Sequence, residues 1–517
     1  MQGHQHRRRV VPGSDHFAPG EAYHFRMPRA ASTFELALAG PPPPGKRTRW
    51  LYESLRQAIL DVRLPPGTRL PSSRSIAQDC GMSRNTVVQV FERLAAEGYV
   101  RGTPGSGTWV RSVAGKQVSG KAPGISPAPT VKQLSRTGEA LSGFRFTTPA
   151  SSIDTSLFPY YPGLDLFPWT TWASIAARRW RTMARDSMGN QSPLGNRALR
   201  EAIADYLRLS RGIACGAERV AIVHGMQQAL DLVVRLVCDP GDTAVVEDPC
   251  YPGAVAAFVA ARLQLSAMEV DLEGIQIPSD SLHARIAFVT PAHQAPTGVV
   301  MSARRRVELL RWAERNDALI FEDDYDGEFR YGAWPAPALA ATADPDRLVT
   351  FGSFTKTMYP SLRLGYVVLP QWLAAPFEAA YGVTSRYPEP VLQQCVFDFF
   401  VQGHYARHIA RMRTLYPLRR DALVHQLQAS VGAALVPQPP RGGLAMVALL
   451  RQGTGESVAL AAQRQGLALI PLSRYQVHRR QPEGLLLGFA NAADSKLTHA
   501  IGLLQQALTN GHTQGPV

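Results

Sequence analysis

The stretch Ser353–Tyr366, SFTKTMYPSLRLGY, follows the apolar run RLVTFG and puts one lysine in a hydroxyl-rich turn, with Arg363 seven residues beyond Lys356. At the end of a strand that lysine is either a solvated surface charge or an amine nucleophile, and only its surroundings can decide which. Outward from it, the strand-like runs RVAIVHG, TAVVEDP, RIAFVTP, ALIFEDD and RLVTFGS alternate with helical patterns between residues 143 and 510. Such alternation predicts an α/β domain, a mostly parallel sheet with helices on both faces. A smaller C-terminal α/β subdomain is expected over about 385–510.

At 517 residues the chain exceeds one ordinary domain. Cys80, Cys215, Cys238, Cys250 and Cys395 are scattered without metal-ligand spacing, so neither a metal site nor a disulfide framework is expected and a reducing cytoplasm is the simplest setting. The run AVAAFVAA at 254–261 is far short of a membrane span. Charge is unevenly placed: residues 1–121 hold 18 lysines and arginines against 8 aspartates and glutamates, which accounts for ten of the net fourteen positive charges. A polyanionic partner is therefore expected for that quarter of the chain. Residues 1–45 end in GPPPPG and read as a disordered basic arm, 112–142 have the composition of a flexible linker, and 511–517 form a tail.

Between them, residues 46–111 carry a compact pattern. LYESLRQAILD reads as an amphipathic helix, SSRSIAQDC (72–80) as a short one, and SRNTVVQVFERLAAEG (83–98) as a longer one joined to it by the turn GMS. In the last, Val87, Val90, Phe91 and Leu94 recur at helical spacing and bury one face, leaving Ser83, Arg84, Asn85 and Gln89 outward. Two helices with such a turn make a helix-turn-helix, and YVRGTPGSGTWV (99–110) adds a two-stranded wing. The pieces LPSSRSIA, GMSRNTV, LAAEGYV and GSGTWV together resemble the winged-helix domain of GntR-type regulators. The resemblance implies double-stranded promoter DNA as partner, contacted by Arg74 and Arg84, with Ser83, Asn85, Thr86 and the wing tip Gly105, Ser106 and Gly107 assisting.

Around the lysine, FEDDYDGEF (321–329) ends a strand on two aspartates and a tyrosine. Alternation lets Asp323 and Tyr325 face one ligand while Asp324 faces away. VHGMQQALDL (223–232) sets Gly225, Met226 and Gln227 between a strand and a helix, where backbone amides can cradle a phosphate. Ser353 and Arg363 supply further phosphate donors, and Tyr251 in VEDPCYPG can stack on a flat ring. A lysine, an acid, phosphate donors and a stacking ring are what pyridoxal 5'-phosphate (PLP) needs. In this order, with YYPGLDLFPWTTW, PAHQAPTG and LGYVVLP, they resemble fold-type I PLP-dependent aminotransferases over nearly all of 143–510. The resemblance makes Lys356 the Schiff-base residue and Arg474, in LIPLSRYQ, the arginine that holds a ligand carboxylate.

A GntR-type winged helix joined to an aminotransferase-like domain is the architecture of MocR/GabR-type regulators. The resemblance implies a transcription factor, a head-to-tail homodimer, that senses PLP or its aldimine with an amine or amino acid. A working aminotransferase with an appended DNA-binding domain is the alternative. Three positions depart from the family pattern. Asn190 stands at a tyrosine's place, and Gly253 where γ-aminobutyrate-responsive members carry an arginine. In HQA, beside PTG, His293 or Gln294 substitutes for the class's asparagine.

Overall fold

A computed structural model describes residues 23–25, 36–38, 46–103, 107–112, 134–144, 153–183, 189–331, 337–478 and 482–511, which fall into two compact units divided after Val131. In the first unit, β1 (Tyr23–Phe25) and β2 (Leu36–Leu38) pair antiparallel, so the arm expected to be without order contains a short ladder. α1 (Arg47–Leu60) buries Leu51, Tyr52, Leu55, Ala58 and Ile59. After β3 (Arg69–Leu70) come α2 (Ser73–Asp79) and α3 (Arg84–Ala96). Each begins on a serine whose hydroxyl accepts an amide of its first turn, Ser72 from Ser75 and Ser83 from Thr86, both at 3.1 Å. Val87, Val90 and Leu94 are buried against α1 and α2, with Phe91 half-buried beside them. β4 (Val100–Thr103) and β5 (Gly107–Val110) form the wing, and β3 completes a three-stranded sheet in the order β3-β5-β4.

The second unit opens with α4 (Arg136–Gly143), capped by Ser135. The linker expected to reach residue 142 is thus helical at its end, because Ser135 supplies an acceptor for the Gly138 amide and the proline-rich part has been passed. α5 (Trp169–Thr182) and α6 (Arg197–Arg211) lead into the main sheet. Its first members are β6 (Val220–Val223), α7 (Met226–Val237), β7 (Thr243–Asp248) and α8 (Pro252–Ala260). Then follow β8 (Gln264–Asp271), β9 (Gly274–Ile275), β10 (Ile286–Val289), α9 (Ala303–Arg315), β11 (Leu319–Asp324), β12 (Leu348–Ser353) and β13 (Gly365–Val368). The eight strands run β6-β13-β12-β11-β10-β7-β8-β9, and β12, β11, β10, β7 and β8 pair parallel in turn. β13 pairs antiparallel to both of its neighbours, β12 and β6, and β9 pairs antiparallel to β8. The five strand-like runs of the sequence are β6, β7, β10, β11 and β12.

Alternation puts Val246, Phe288, Phe321 and Phe351 on one face, against α7, α8 and α10 (Gln371–Thr384). On the other face Val245, Ala287 and Ile320 pack on α9, while Ile222 and Tyr366 pack on α6 and α11 (Pro390–Val401). α12 (His404–Val431) then leads to a four-stranded antiparallel sheet of β14 (Leu435–Gln438), β15 (Ala445–Leu450), β16 (Ile470–Pro471) and β17 (Gly484–Gly488). Helices α13 (Gly455–Arg464) and α14 (Asp494–Gly511) cover it, giving the smaller C-terminal α/β subdomain.

One buried ion pair fixes the second face beneath the end of β11. Arg211, the last residue of α6, donates from Nε and a terminal nitrogen to both oxygens of Asp324, each at 2.6 Å, and also reaches the Gly327 carbonyl at 3.1 Å. Both side chains are almost wholly excluded from water. Removing one partner strands the other, so Arg211→Ala is expected to cost the second unit about 3–5 kcal/mol. The check is the urea midpoint followed by fluorescence; a midpoint equal to that of the native chain contradicts this role.

Candidate functional site

The parallel strands end along one edge of the sheet, where the segments leaving β6, β7, β10, β11 and β12 line a cleft of about 140 Å³. Ligands bind at that edge of an open α/β sheet because the diverging connections leave a crevice there. The turn after β12 carries Lys356 into the cleft, half-buried, with Nζ donating to the Tyr160 carbonyl at 3.3 Å. Burial lowers this amine from its ordinary 10.5 to about 8; Asp326 and Asp323 favour the ammonium against that, and Arg363 disfavours it. The neutral form, which attacks a carbonyl, is therefore a minority near neutral pH but far more populated than in an ordinary lysine.

Asp323 and Tyr325, at the end of β11, both line the cleft, whereas Asp324 between them turns to Arg211. Asp323 is buried, and its Oδ1 has no hydrogen-bond partner among the described residues. Burial pushes this carboxyl well above the ordinary carboxylate range; Asp324 and Asp326 add to the push and Lys356 opposes it. An orphaned buried carboxylate is costly unless a cation or donor meets it, and a protonated pyridine nitrogen is such a donor.

The opposite end of the cleft suits an anion. Gly225 precedes α7 with φ +83, a conformation open to glycine, and a Cβ there would lie 3.3 Å from a terminal nitrogen of Arg363. Met226 and Gln227 open the helix, so first-turn amides face the space where Arg363 and Ser353 converge. The Ser353 and Thr355 hydroxyls lie 2.7 Å apart on the same wall, and Tyr251 lines another. An amine, an unpartnered acid, a phenol and an anion cradle in one cleft fit PLP.

Nine of the ten cofactor residues expected from sequence line this cleft; His293 does not. It is buried beside the end of β11, its Nδ1 3.0 Å from Asp326 Oδ1, with Gly442 closely packed over the ring. Gln294 turns inward as well, donating to Glu247 and to the Pro249 carbonyl and accepting from Thr297. The residue that reaches the cleft from this loop is Ala295, so neither proposed substitute occupies the asparagine's place. Arg474 stands exposed on the short helical turn Leu472–Tyr475, outside the cleft lining. Gly253 is buried, and a Cβ there would fall 2.3 Å from Gln227 Oε1 and 2.4 Å from the Tyr251 ring; an arginine would displace both. Asn190 is exposed. Sequence reasoning passed over Tyr160 and Thr355; Thr355 was signalled by the hydroxyl-rich turn itself, Tyr160 only by the aromatic pair in YYPG.

In the first unit Arg74, Arg84 and Asn85 are exposed at the starts of α2 and α3, and Gln89 lies one turn on. Ser83 caps α3 and its hydroxyl lies 2.8 Å from that of Thr86, so these two shape the helix start. Gly107 has φ +105 with the Arg69 guanidinium packed on it, and Arg69 also lies over the Trp109 ring. Gly105 and Ser106 lie outside the described residues. The exposed arginines at the helix starts suit a phosphate backbone and the edges of guanines.

Residues 48–110 match the family "Bacterial regulatory proteins, gntR family", and residues 164–504 match "Aminotransferase class I and II". The chain is 36% identical to the "Probable rhizopine catabolism regulatory protein MocR" of Rhizobium meliloti, covering 89% of this chain and 93% of that protein. It is 30% identical to the "HTH-type pyridoxine biosynthesis transcriptional regulator PdxR" of Corynebacterium glutamicum, over 89% and 96%. Among solved structures it is similar to a kynurenine aminotransferase of Pyrococcus horikoshii, at 27% identity and a TM-score of 0.63, covering 70% of this chain and 91% of that one.

The lowered pKa of Lys356 has a kinetic signature. Capture of PLP by the apo-chain is expected to accelerate with pH and level off above about 8, because the neutral amine is then the dominant form. A rate that keeps climbing toward 10.5, the ordinary lysine value, contradicts a buried amine.

Proposed function

Because the chain belongs to the MocR-type regulators, in which a gntR-family winged helix is joined to a class I and II aminotransferase domain, we propose that it binds promoter DNA in the cytoplasm and adjusts that binding to PLP, or to an amine joined to PLP, in its cleft. One observation carries the reading: the buried, unpartnered Asp323 Oδ1 faces the same cleft as the Lys356 amine, in a chain that also exposes Arg74 and Arg84 on a helix-turn-helix. When bound, PLP supplies an aldehyde for primary amines and a ring that withdraws electrons.

The places of this chain's residues in the cleft support a role for each. Lys356 would hold the aldehyde end, Asp323 would accept from the ring nitrogen and keep its proton there, and Tyr325 would donate to the ring's phenolic oxygen. Gly225, Met226, Gln227, Ser353 and Arg363 would bind the phosphate, while Tyr251 would pack on the ring. Arg474, exposed near the cleft's aromatic wall, would hold a ligand carboxylate once a homodimer is formed. Gly253 leaves no second arginine, which argues against a ligand of the γ-aminobutyrate type. One relative's name speaks of pyridoxine biosynthesis and another's of rhizopine catabolism, so the vitamer itself and a catabolised small molecule are the effector classes to compare. Transamination remains the second reading, favoured by likeness to aminotransferases that covers most of the second unit.

Purified protein loaded with PLP is expected to absorb in the visible, and Lys356→Ala to lose that band; an identical spectrum in the variant would remove Lys356 from the cofactor. Arg84→Ala is expected to weaken binding to the chain's own promoter by about 1–3 kcal/mol for each base contact it makes, with native affinity counting against its placement in the groove. Amino-group transfer between amino acids and 2-oxo acids should be negligible. Turnover near roughly 10 per second, an ordinary enzyme rate, would favour the aminotransferase.

A further inference from the structure

The segment 153–163 is pinned at both ends to the C-terminal subdomain and touches the cleft at one residue. Asp154 exchanges backbone hydrogen bonds with Gly466 and Ala468 at 2.7 and 3.0 Å, and Phe158 joins the apolar cluster of Ile470 and Leu486. Beyond, the Gly163 amide donates to the Tyr416 hydroxyl of α12 at 3.0 Å. Tyr160 lies between these anchors with φ +60, a left-handed conformation that costs a tyrosine energy and persists only where its surroundings impose it.

That turn points the Tyr160 carbonyl at Lys356 Nζ, 3.3 Å away, and lays the ring 5.4 Å from the same nitrogen, centroid to atom. The ring is itself held edge-on against Tyr325, with centroids 5.5 Å apart and planes at 90°, and tilted against Tyr475 at 6.4 Å. Carbonyl oxygen and ring face both attract an ammonium and give a neutral amine less.

We propose that Tyr160 is a positioning residue for Lys356, its carbonyl oxygen and ring holding the nitrogen as an ammonium on the near wall of the cleft until the aldehyde of PLP takes it. This rests on the cofactor reading above. The step is balanced: the ammonium releases one proton, the nitrogen lone pair forms a C=N bond with the aldehyde carbon, and the aldehyde oxygen leaves as water. The nitrogen that results no longer has three hydrogens to offer, so capture competes with the Tyr160 contact. Tyr160 therefore raises the threshold at which the chain responds to the cofactor. Asp326 and Asp323 also favour the ammonium and Arg363 opposes it; these three are the charged groups facing Nζ, and Tyr325 and Tyr475 are the titratable neighbours of the Tyr160 ring.

The test uses the full chain without cofactor, labelled competitively with acetic anhydride from pH 6.5 to 10, with the Lys356 peptide quantified against exposed Lys496. The native midpoint is expected at about 8. Tyr160→Leu keeps the carbonyl but loses the ring, and its midpoint should fall by about half a pH unit, roughly a threefold gain in neutral amine. Capture of PLP at pH 7 should quicken by the same factor, while Tyr160→Phe, which keeps a ring, should stay near the native value. Tyr160→Met serves if the leucine variant does not fold. Native midpoints in the leucine and methionine variants, with native circular dichroism, overturn the inference. A native chain that labels as expected but never takes up PLP overturns the cofactor reading and leaves the Tyr160 contact standing.

Discussion

The second unit depends on charge held away from water at the end of one strand. The end of β11 and the turn after it deliver Asp323, Asp324 and Asp326 within four residues, and all three are buried. Like charges so close cannot all stay ionised without partners. Their surroundings differ: Asp324 has Arg211, Asp326 meets His293 through Oδ1 while its Oδ2 has no partner among the described residues, and Asp323 faces the cleft with its Oδ1 likewise unmet. Alternation sorts them, contacts to Arg211 and His293 hold two of them in place, and Asp323, the one of the three that lines the cleft, marks where a cationic ring nitrogen fits. Lys356 is placed by the same logic from the adjacent strand, since β12 pairs parallel to β11 and its turn emerges beside it.

Much of this was legible in the sequence for a physical reason. Parallel strands buried on both faces read as continuous apolar runs, so β6, β7, β10, β11 and β12 announced themselves, and the polar residues at their ends had to lie along one edge. The winged helix was legible because apolar helical spacing, a glycine turn and a glycine-rich wing fall in a fixed order within about sixty residues; the capping serines emerge only from the structure. β8, longer and only partly buried, lacks that apolar signature, and β13 pairs antiparallel where the pattern suggested no reversal.

What was not legible depends on contacts between distant parts of the chain. His293 looked available as a donor until Asp326, thirty-three residues on, was seen to hold it. Tyr160 enters the cleft because its flanks are tied to residues about 250 to 330 positions away, and because its backbone is left-handed where no glycine marks it. α4 was hidden by a composition that is polar and proline-broken just before Ser135 supplies a cap. Gly253 illustrates the reverse: its meaning as a missing arginine was a family comparison, and the structure adds that Gln227 and Tyr251 fill the space an arginine would need.

The central claim is that the DNA-binding unit answers to what Lys356 holds. Allosteric coupling of this kind is worth about 1–3 kcal/mol, or roughly five- to 150-fold in affinity. The most direct measurement is the dissociation constant of the full chain for its own promoter, determined with and without saturating PLP, for the native protein and for Lys356→Ala at one fixed salt concentration. The account predicts at least a fivefold change on adding PLP to the native chain and none in the variant. Equal affinities in the native chain with and without PLP, in protein shown by absorbance to be loaded, would contradict it.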